Sequence, residues 1–515
     1  MSKFSRRVKH MVGSGNARRW GAALVALGTL AGVVTAAPAS AGTDAPTGTS
    51  ITVVVPQEPA DWDFVRNSAT AIRAPLAMNV VQPLLERQED GTIAPFLAEQ
   101  FEASDDGLTY TFTIREAMFH DGSPLDSADV VYSLETNMAS EVAATAGPLS
   151  VAETIAATDE HTVVVTLSRP SRAFVNSLAS SSGLIFPEGS LDSLATAPVG
   201  TGPWSFGEWR PDVDLVLHRF ADYWGDIPYY ETVTFRFITD PNAAANALLA
   251  GDVDILATGL GSTRSRVEDA GLTVVEGISA EFQYVSLNGS LDVFADERIR
   301  QAIAHAIDRQ AYVDAVYGGA ARPTCTFVNP PNEAWATDHC PYPYDPDRAR
   351  ELLAEAGAEG TPLTIKFIED GAQWSITTEI LVSQLSDVGF DVSTEGRELT
   401  TYLDEIVSAA EPSYEITPLG GPTAIDAWKC PGRFTLWCDP AIDEMLAQAD
   451  ETLDDQEYVD LRRTAIEQHA DAAYLIPLST RLDLVFLADG ITGVKPFRPI
   501  TEFDMRNIRP AEDAE

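Results

Sequence analysis

The clearest hydrophobic pattern in the chain is an alternation. Tyr110, Phe112 and Ile114 alternate with Thr109, Thr111, Thr113 and Arg115, the period of a strand with one buried face. Ile51-Thr52-Val53-Val54-Val55 is an apolar, β-branched run of strand length that Pro56 ends. Similar runs predict strands at Thr162–Leu167, Asp214–His218, Thr232–Ile238, Gln283–Leu287 and Leu363–Ile368. Between them lie stretches of helical period with explicit starts. Asp240-Pro241, Asp345-Pro346 and Asp439-Pro440 each set an N-cap acceptor before a proline suited to the first helical position. Gly251 and Gly357 stand where the first two of these helices would close with positive φ. The longest helix is expected to start near Asp296, place Ile299, Ile303, Ile307 and Val313 on one face, and end at Gly318-Gly319. Strands and helices interspersed in this way give an α/β or mixed α+β class. No repeat of 20–50 residues is visible.

Length divides the chain. At 515 residues it exceeds the roughly 250–300 that one core supports, so two or three compact units are expected. The first segment stands apart from them. Lys3, Arg6, Arg7, Lys9, Arg18 and Arg19 form a basic leader without an acidic residue, followed by an apolar run from Trp20 to Ala36 and then Ala39-Ser40-Ala41. That order is a signal peptide over residues 1–41. The rival is an uncleaved anchor, but the run is rich in Gly, Ala and Thr and abuts a small-x-small cleavage pattern. Arg6-Arg7 and Arg18-Arg19 leave both general and twin-arginine export open. No cysteine precedes Cys325, and no later stretch offers about 20 consecutive apolar residues. The expectation is an exported protein, in the periplasm or at the outer face of the membrane, with no lipid anchor and no membrane span.

Charge narrows the partners. There are 34 basic and 77 acidic side chains, and without the leader's six the basic count falls to 28. Such a surface repels nucleic acid and anionic lipid. The four cysteines fall in two close pairs, Cys325 with Cys340 and Cys430 with Cys438, which in an exported chain read as two disulfides stapling loops. A metal site around Asp338-His339-Cys340 is the alternative, but the spacing matches no zinc pattern.

Nothing calls for catalysis. His120-Asp121-Gly122 follows a strand and precedes a helix near Asp126, so turn geometry accounts for it. There is no G-x-S-x-G, H-E-x-x-H or G-x-x-x-x-G-K, and none of the seven histidines pairs at i, i+4. Gly200-Thr201-Gly202-Pro203 is too short for a nucleotide loop. No cofactor or metal is expected. Trp204, Trp209, Tyr223, Trp224, Tyr229 and Tyr230 crowd into one stretch, as core or as cleft wall.

Several ordered blocks resemble one family. Ala94-Pro95-Phe96-Leu97-Ala98-Glu99 leads through Asp105-Asp106-Gly107-Leu108-Thr109-Tyr110 to Phe119-His120-Asp121-Gly122 and Ala128-Asp129-Val130. Asp222-Tyr223-Trp224-Gly225, Ala250-Gly251-Asp252-Val253-Asp254, Arg298-Ile299-Arg300-Gln301-Ala302 and Tyr344-Asp345-Pro346 follow in order. Together they resemble the family 5 extracellular solute-binding proteins, which serve oligopeptide, dipeptide and nickel ABC importers. Three departures stand out. Val81-Gln82-Pro83-Leu84 replaces a common Tyr-Glu pair, the N-terminal lipobox is missing, and Leu419–Trp428 offers Asp426 without a Tyr beside it.

The resemblance implies a bilobal type II periplasmic-binding-protein fold with an extra subdomain. It divides the chain into a signal peptide (1–41), first-lobe segments (42–83, 190–279 and 479–515), a subdomain (84–189) and a second lobe (280–478). Ligand would lie between the lobes near Gln57–Trp62, the loop after Leu287, and Gly420–Trp428. The expected contacts are Gln57, Trp62, Asn288, Asp426 and Trp428, with Asp426 neutralising a ligand cation and the two indoles as walls. The implied function is capture of a peptide-like solute by a monomer and delivery to ABC permease and ATPase subunits, with no cofactor. Nickel chelates and oligosaccharides are alternative ligands. A secreted hydrolase and a sensory receptor on the same fold are rival classes.

Overall fold

The computed structural model describes residues 49–511, apart from 68, 327–336, 410, 423–424, 433–434 and 496–501. The leader falls outside the described residues. The apolar run expected at Ile51–Val55 forms the strand Ser50–Val55, which pairs in parallel with Thr232–Phe237 on one side and Ile255–Gly259 on the other. A strand flanked on both sides and buried on both faces needs such a continuous β-branched sequence. Asp214–Arg219 and Trp204–Arg210 extend one edge with antiparallel pairing. Beyond Ile255–Gly259 come two long antiparallel strands, Leu475–Leu487 and Thr273–Leu287, then Ile416–Pro422, Pro362–Ile368 and Asp391–Arg397. The last three run parallel to one another.

By hydrogen bonding this is one sheet; by packing it is two. Val485 and Leu487 join a core with Ile51, Val53, Phe235 and Ile255. At the other end of the same strands, Val285, Leu287, Ile476 and Leu478 join a core with Ile303, Leu353 and Leu385. The two long strands therefore belong to both halves. Between the halves their ladder breaks. Ile278 faces Leu482 and Phe282 faces Thr480, so three residues, Ser279 to Glu281, oppose Arg481 alone. That is a bulge, which leaves backbone unpaired and bends the strand. The sequence pattern predicts only Gln283–Leu287, whereas the strand begins ten residues earlier, at Thr273. Gly277, Glu276 and the bulge interrupt the alternation where the strand passes between the two cores.

A third core runs from Met78 to Ile185. The strands Ala98–Ala103, Thr109–Ile114, Thr162–Leu167 and Ala152–Asp159 form a four-stranded antiparallel sheet, in the spatial order 98, 109, 162, 152. Tyr110, Phe112 and Ile114 pack inward with Val163, Val165 and Leu167, as their alternation requires. The helix Ser127–Met138 covers them, started by a capping box between Asp126 and Asp129.

The Asp-Pro helix starts behave as read. Asp240 accepts from the Ala243 N–H at 2.7 Å, Asp345 from Arg348 at 2.9 Å and Asp439 from Ala441 at 2.9 Å. Gly251 and Gly357 close two of these helices at φ 77° and 65°. The single helix expected from Asp296 to Gly318 is instead two, Glu297–Ala306 and Arg309–Tyr317. Asp308 causes the break: its carboxylate accepts the N–H groups of Gln310 and Ala311 at 3.1 and 3.0 Å, which makes it the N-cap of a new helix. Ile299, Ile303, Ile307 and Val313 still meet in one core. Among the described residues the longest helix is Asp455–Ala472.

Both cysteine pairs are disulfides, each with Cα atoms 5.1 Å apart. His339 lies 2.6 Å from Asp471, and no cluster able to hold a metal occurs among the described residues. His120-Asp121-Gly122 is a turn, with Asp121 accepting from the Ser123 N–H and Gly122 at φ 87°. Trp204, Tyr223 and Tyr230 are buried. Among the described residues no helix is long and apolar enough to cross a membrane.

Candidate functional site

The direction of the strands locates a cleft. The parallel strands of the first half end at Val55, Phe237 and Gly259, and Gly259 is level with Leu484 of a crossing strand. Those of the second half end at Ile368, Arg397 and Pro422, and Pro422 is level with Glu281 of the other crossing strand. Both sets of carboxyl ends thus meet the crossing strands at their middle, over the bulge. Crevices outside the carboxyl ends of parallel strands are where open α/β sheets bind ligands.

Gln57 enters this region from the first half, two residues past the end of its strand, and it is exposed. Beside it Glu58 accepts from the Trp209 indole and the Asp212 N–H, both at 2.8 Å, which fixes the turn. From the second half comes the turn Ile425–Trp428. Asp426 pairs with Arg462 at 2.7 Å and Lys429 at 3.0 Å. Burial opposes its ionisation, but the two cations overcome that cost and hold its carboxyl below the usual range. Its side chain is still 43% exposed, so the carboxylate keeps an open edge. The Cys430–Cys438 disulfide follows directly and staples the loop.

Close approach explains the glycines before this turn. A Cβ on Gly420 would sit 2.7 Å from the Gln283 amide, and one on Gly421 would sit 3.1 Å from the Tyr284 ring. Gln283 in turn accepts from Gln373 at 3.4 Å, and Gln373 donates to the Tyr317 hydroxyl at 2.8 Å.

A polar bridge joins the subdomain to the second half. Asp450 accepts from Arg169 at 2.9 Å, the Ser171 hydroxyl at 3.0 Å and the Ala173 N–H at 2.7 Å. Arg172 donates to the Thr452 carbonyl and to Asp455, both at 2.8 Å, and its guanidinium lies 4.7 Å over the Tyr458 ring. Arg462, the partner of Asp426, lies 5.8 Å over the same Tyr458 ring, so the bridge and the Asp426 turn meet at Tyr458.

The expected contact residues scatter. Trp62 is fully buried in the first core, edge-on to Phe206 and Trp209 at 5.6 and 5.7 Å. Trp428 is also buried, against Tyr284 at 5.1 Å and Phe282 at 6.3 Å. Asn288 is not brought to Asp426. It follows Leu287, which pairs with Ile416 at the amino end of Ile416–Pro422, about 20 Å along that strand from Pro422. Its amide is used locally, donating to the Tyr414 carbonyl at 2.8 Å and accepting from Ser290 at 3.0 Å. Arg462, Tyr458, Arg172 and Asp450 escaped sequence reading, because lone polar residues on helices of an acidic chain look like solvated faces.

Residues 92–421 match the family described as bacterial extracellular solute-binding proteins, family 5, middle region. Among curated proteins, an ABC transporter peptide-binding protein of Brucella ovis is 31% identical over 323 residues, 59% of this chain and 60% of that protein. The chain thus spans about 60% of the length of that relative. The glutathione-binding protein GsiB of Salmonella typhi is 31% identical over 379 residues, 71% of this chain and 72% of the relative. Among solved structures, the ABC transporter substrate-binding protein CtaP from Listeria monocytogenes is 25% identical with a TM-score of 0.79, covering 90% of this chain and 99% of its own. The fold is therefore the mixed α/β, bilobal type II periplasmic-binding-protein fold with an extra subdomain.

Proposed function

From the premise that this chain belongs to the bacterial extracellular solute-binding proteins of family 5, we propose that it captures a peptide-like small solute between its lobes. It then hands that solute to the permease of an ABC importer. The observation that carries this reading is the convergence of both sets of strand ends over a break in the crossing strands. A ligand touching both lobes favours the closed arrangement only by its better contacts there, and the bulge is where the backbone absorbs the swing. The peptide- and glutathione-binding relatives favour a peptide-like solute over chelates or sugars. The lobe boundaries set out from the sequence, export by the leader, action as a monomer and the absence of catalysis belong to the same reading.

Asp426 supplies the specific contact. Its open edge receives a cationic group of the solute, in competition with Lys429, while Arg462 keeps the carboxylate in place. On the same reading Gln57, exposed just past the end of its strand, contributes from the first lobe. A ligand that binds only the native state raises the melting temperature, so a thermal-shift screen of short peptides and glutathione tests the class. Stabilisation by a nickel chelate or an oligosaccharide, with every peptide silent, would overturn it. Asp426→Asn is expected to weaken the best peptide about tenfold or more, by loss of one charge-assisted bond; unchanged affinity would remove Asp426 from the site.

A further inference from the structure

Two arginines, one from the subdomain and one from the second lobe, stand over one aromatic ring. The helix Asp455–Ala472 is capped by Asp454, whose carboxylate accepts the Glu457 N–H at 2.8 Å. It carries Tyr458 and Arg462 one turn apart, hence on the same face. The Arg462 guanidinium lies 5.8 Å from the centroid of the Tyr458 ring, and that of Arg172 lies 4.7 Å from it. The face of a ring attracts a cation, but two cations on one ring repel each other. Each therefore needs an anion of its own, and each has one. Asp455 pairs with Arg172 at 2.8 Å, and Asp426 with Arg462 at 2.7 Å. The result is a chain of groups from the subdomain, through the ring, to the carboxylate of the candidate site.

Burial deepens along this chain. The Asp455 side chain is 93% exposed and that of Arg172 24%, whereas only 8% of the Arg462 side chain reaches water. Water screens the outer pair, which contributes little by itself. The inner pair is shielded on the arginine side, where a guanidinium depends on its partners. Tyr458 is half-buried and packs against the core that holds Ile425 and Trp428, the first and last residues of the Asp426 turn. Its ring gives Arg462 a wall on one side while Asp426 holds it on another. Leu453 adds an apolar contact across the same junction. It comes so near to Gly107 of the subdomain that a Cβ there would lie 2.8 Å from it.

We infer that Tyr458 is a positioning residue, through which Arg172 of the subdomain braces Arg462 and so fixes the Asp426 carboxylate for the solute's cationic group. The subdomain then takes part in recognition without touching the solute. The inference rests on the reading of Asp426 given above. A solute cation that replaces Lys429 at Asp426 exchanges one positive charge for another. The charge that Arg462 meets is kept, and the brace survives occupancy.

The test titrates short peptides with a free amino terminus, and the same peptides N-acetylated, into the full processed chain by calorimetry. The wild type is expected to prefer the free amine about tenfold or more. Tyr458→Leu and Arg172→Gln should each cut that preference about threefold or more, beyond any loss that both peptide forms share. Combined, they should cut it little further than either alone. Tyr458→Phe keeps the ring and should restore the preference. A preference that survives Tyr458→Leu, a loss shared equally by amine and acetylated forms, or independent losses in the double variant overturn the assignment. If the wild type binds no peptide or shows no preference, the Asp426 reading fails, and the brace is decided without ligand. Hydrogen exchange then follows the Ala173 amide, which bonds to Asp450 in the bridge. Asp426→Asn leaves two guanidiniums on one ring with one anion between them. That amide should then exchange about twofold to tenfold faster than in the wild type, and the difference should vanish in a Tyr458→Leu background. Equal exchange in Asp426→Asn and the wild type overturns the brace. Should Tyr458→Leu fail to fold, Arg172→Gln and the exchange comparison of Asp426→Asn with the wild type decide.

Discussion

The second lobe is joined to the rest of the molecule in two different ways. One is covalent and apolar: two long strands whose ends are buried in different cores, with Phe282 and Tyr284 just on the second-lobe side of the ladder break. The other is non-covalent and polar: Asp450, Thr452 and Asp455 of the second lobe hold Arg169, Ser171, Arg172 and Ala173 of the subdomain. The first cannot let go, but it can bend where three residues oppose one. The second can let go at the cost of a few hydrogen bonds that water replaces. On the proposed function this division is what closing and release require, with permanence in the core and reversibility at the polar bridge.

The contrast can be broken from either side. Phe282→Ala removes a fully buried ring stacked 5.0 Å from Tyr284 and should cost about 3–5 kcal/mol of stability, read from the denaturant midpoint. A cost under about 1 kcal/mol would mean that the strand is not anchored there. Replacing both Cys430 and Cys438 by Ser should cost about 2–4 kcal/mol and loosen the Asp426 turn, read by melting with and without the solute. Asp450→Asn acts on the polar bridge. Its pair with the 44%-exposed Arg169 contributes little, so the Ser171 and Ala173 bonds carry the effect. The expected outcome is about tenfold weaker solute binding with global stability nearly intact, and a binding constant less sensitive to salt than the wild type's.

The smallest effects are in pH. Glu502 has a raised pKa in the fold, so its contribution to stability is complete below the unfolded value near 4.5 and is lost as pH rises through about 8. Glu502→Gln should therefore gain on the wild type in melting temperature between pH 5 and pH 9. Asp426 has the opposite sign. Its lowered pKa contributes stability above the usual carboxylate range, and that contribution disappears as pH falls through the lowered value. The melting deficit of Asp426→Asn at neutral pH should shrink in acid.

Much of the fold was legible because it rests on local chemistry. Asp-Pro starts, glycine ends and the alternation at Thr109–Ile114 each encode their own element. Asp308 shows the limit of periodicity: apolar positions from Ile299 to Val313 do lie on one core, yet a single carboxylate splits the helix between them. The site was less legible. Asp426 and Gln57 each follow the end of a strand, whereas Trp62 and Trp428 are occupied by core packing and Asn288 by its own loop. Burial of an indole depends on what packs against it from hundreds of residues away, and no local pattern records that.

Small-angle X-ray scattering of the processed chain, with and without the peptide that stabilises it most, tests the central claim most directly. The account predicts a smaller radius of gyration on saturation, with Asp450→Asn more extended than the wild type before ligand is added. Superimposable profiles in the bound and free states, at a peptide concentration where calorimetry shows full occupancy, would contradict it.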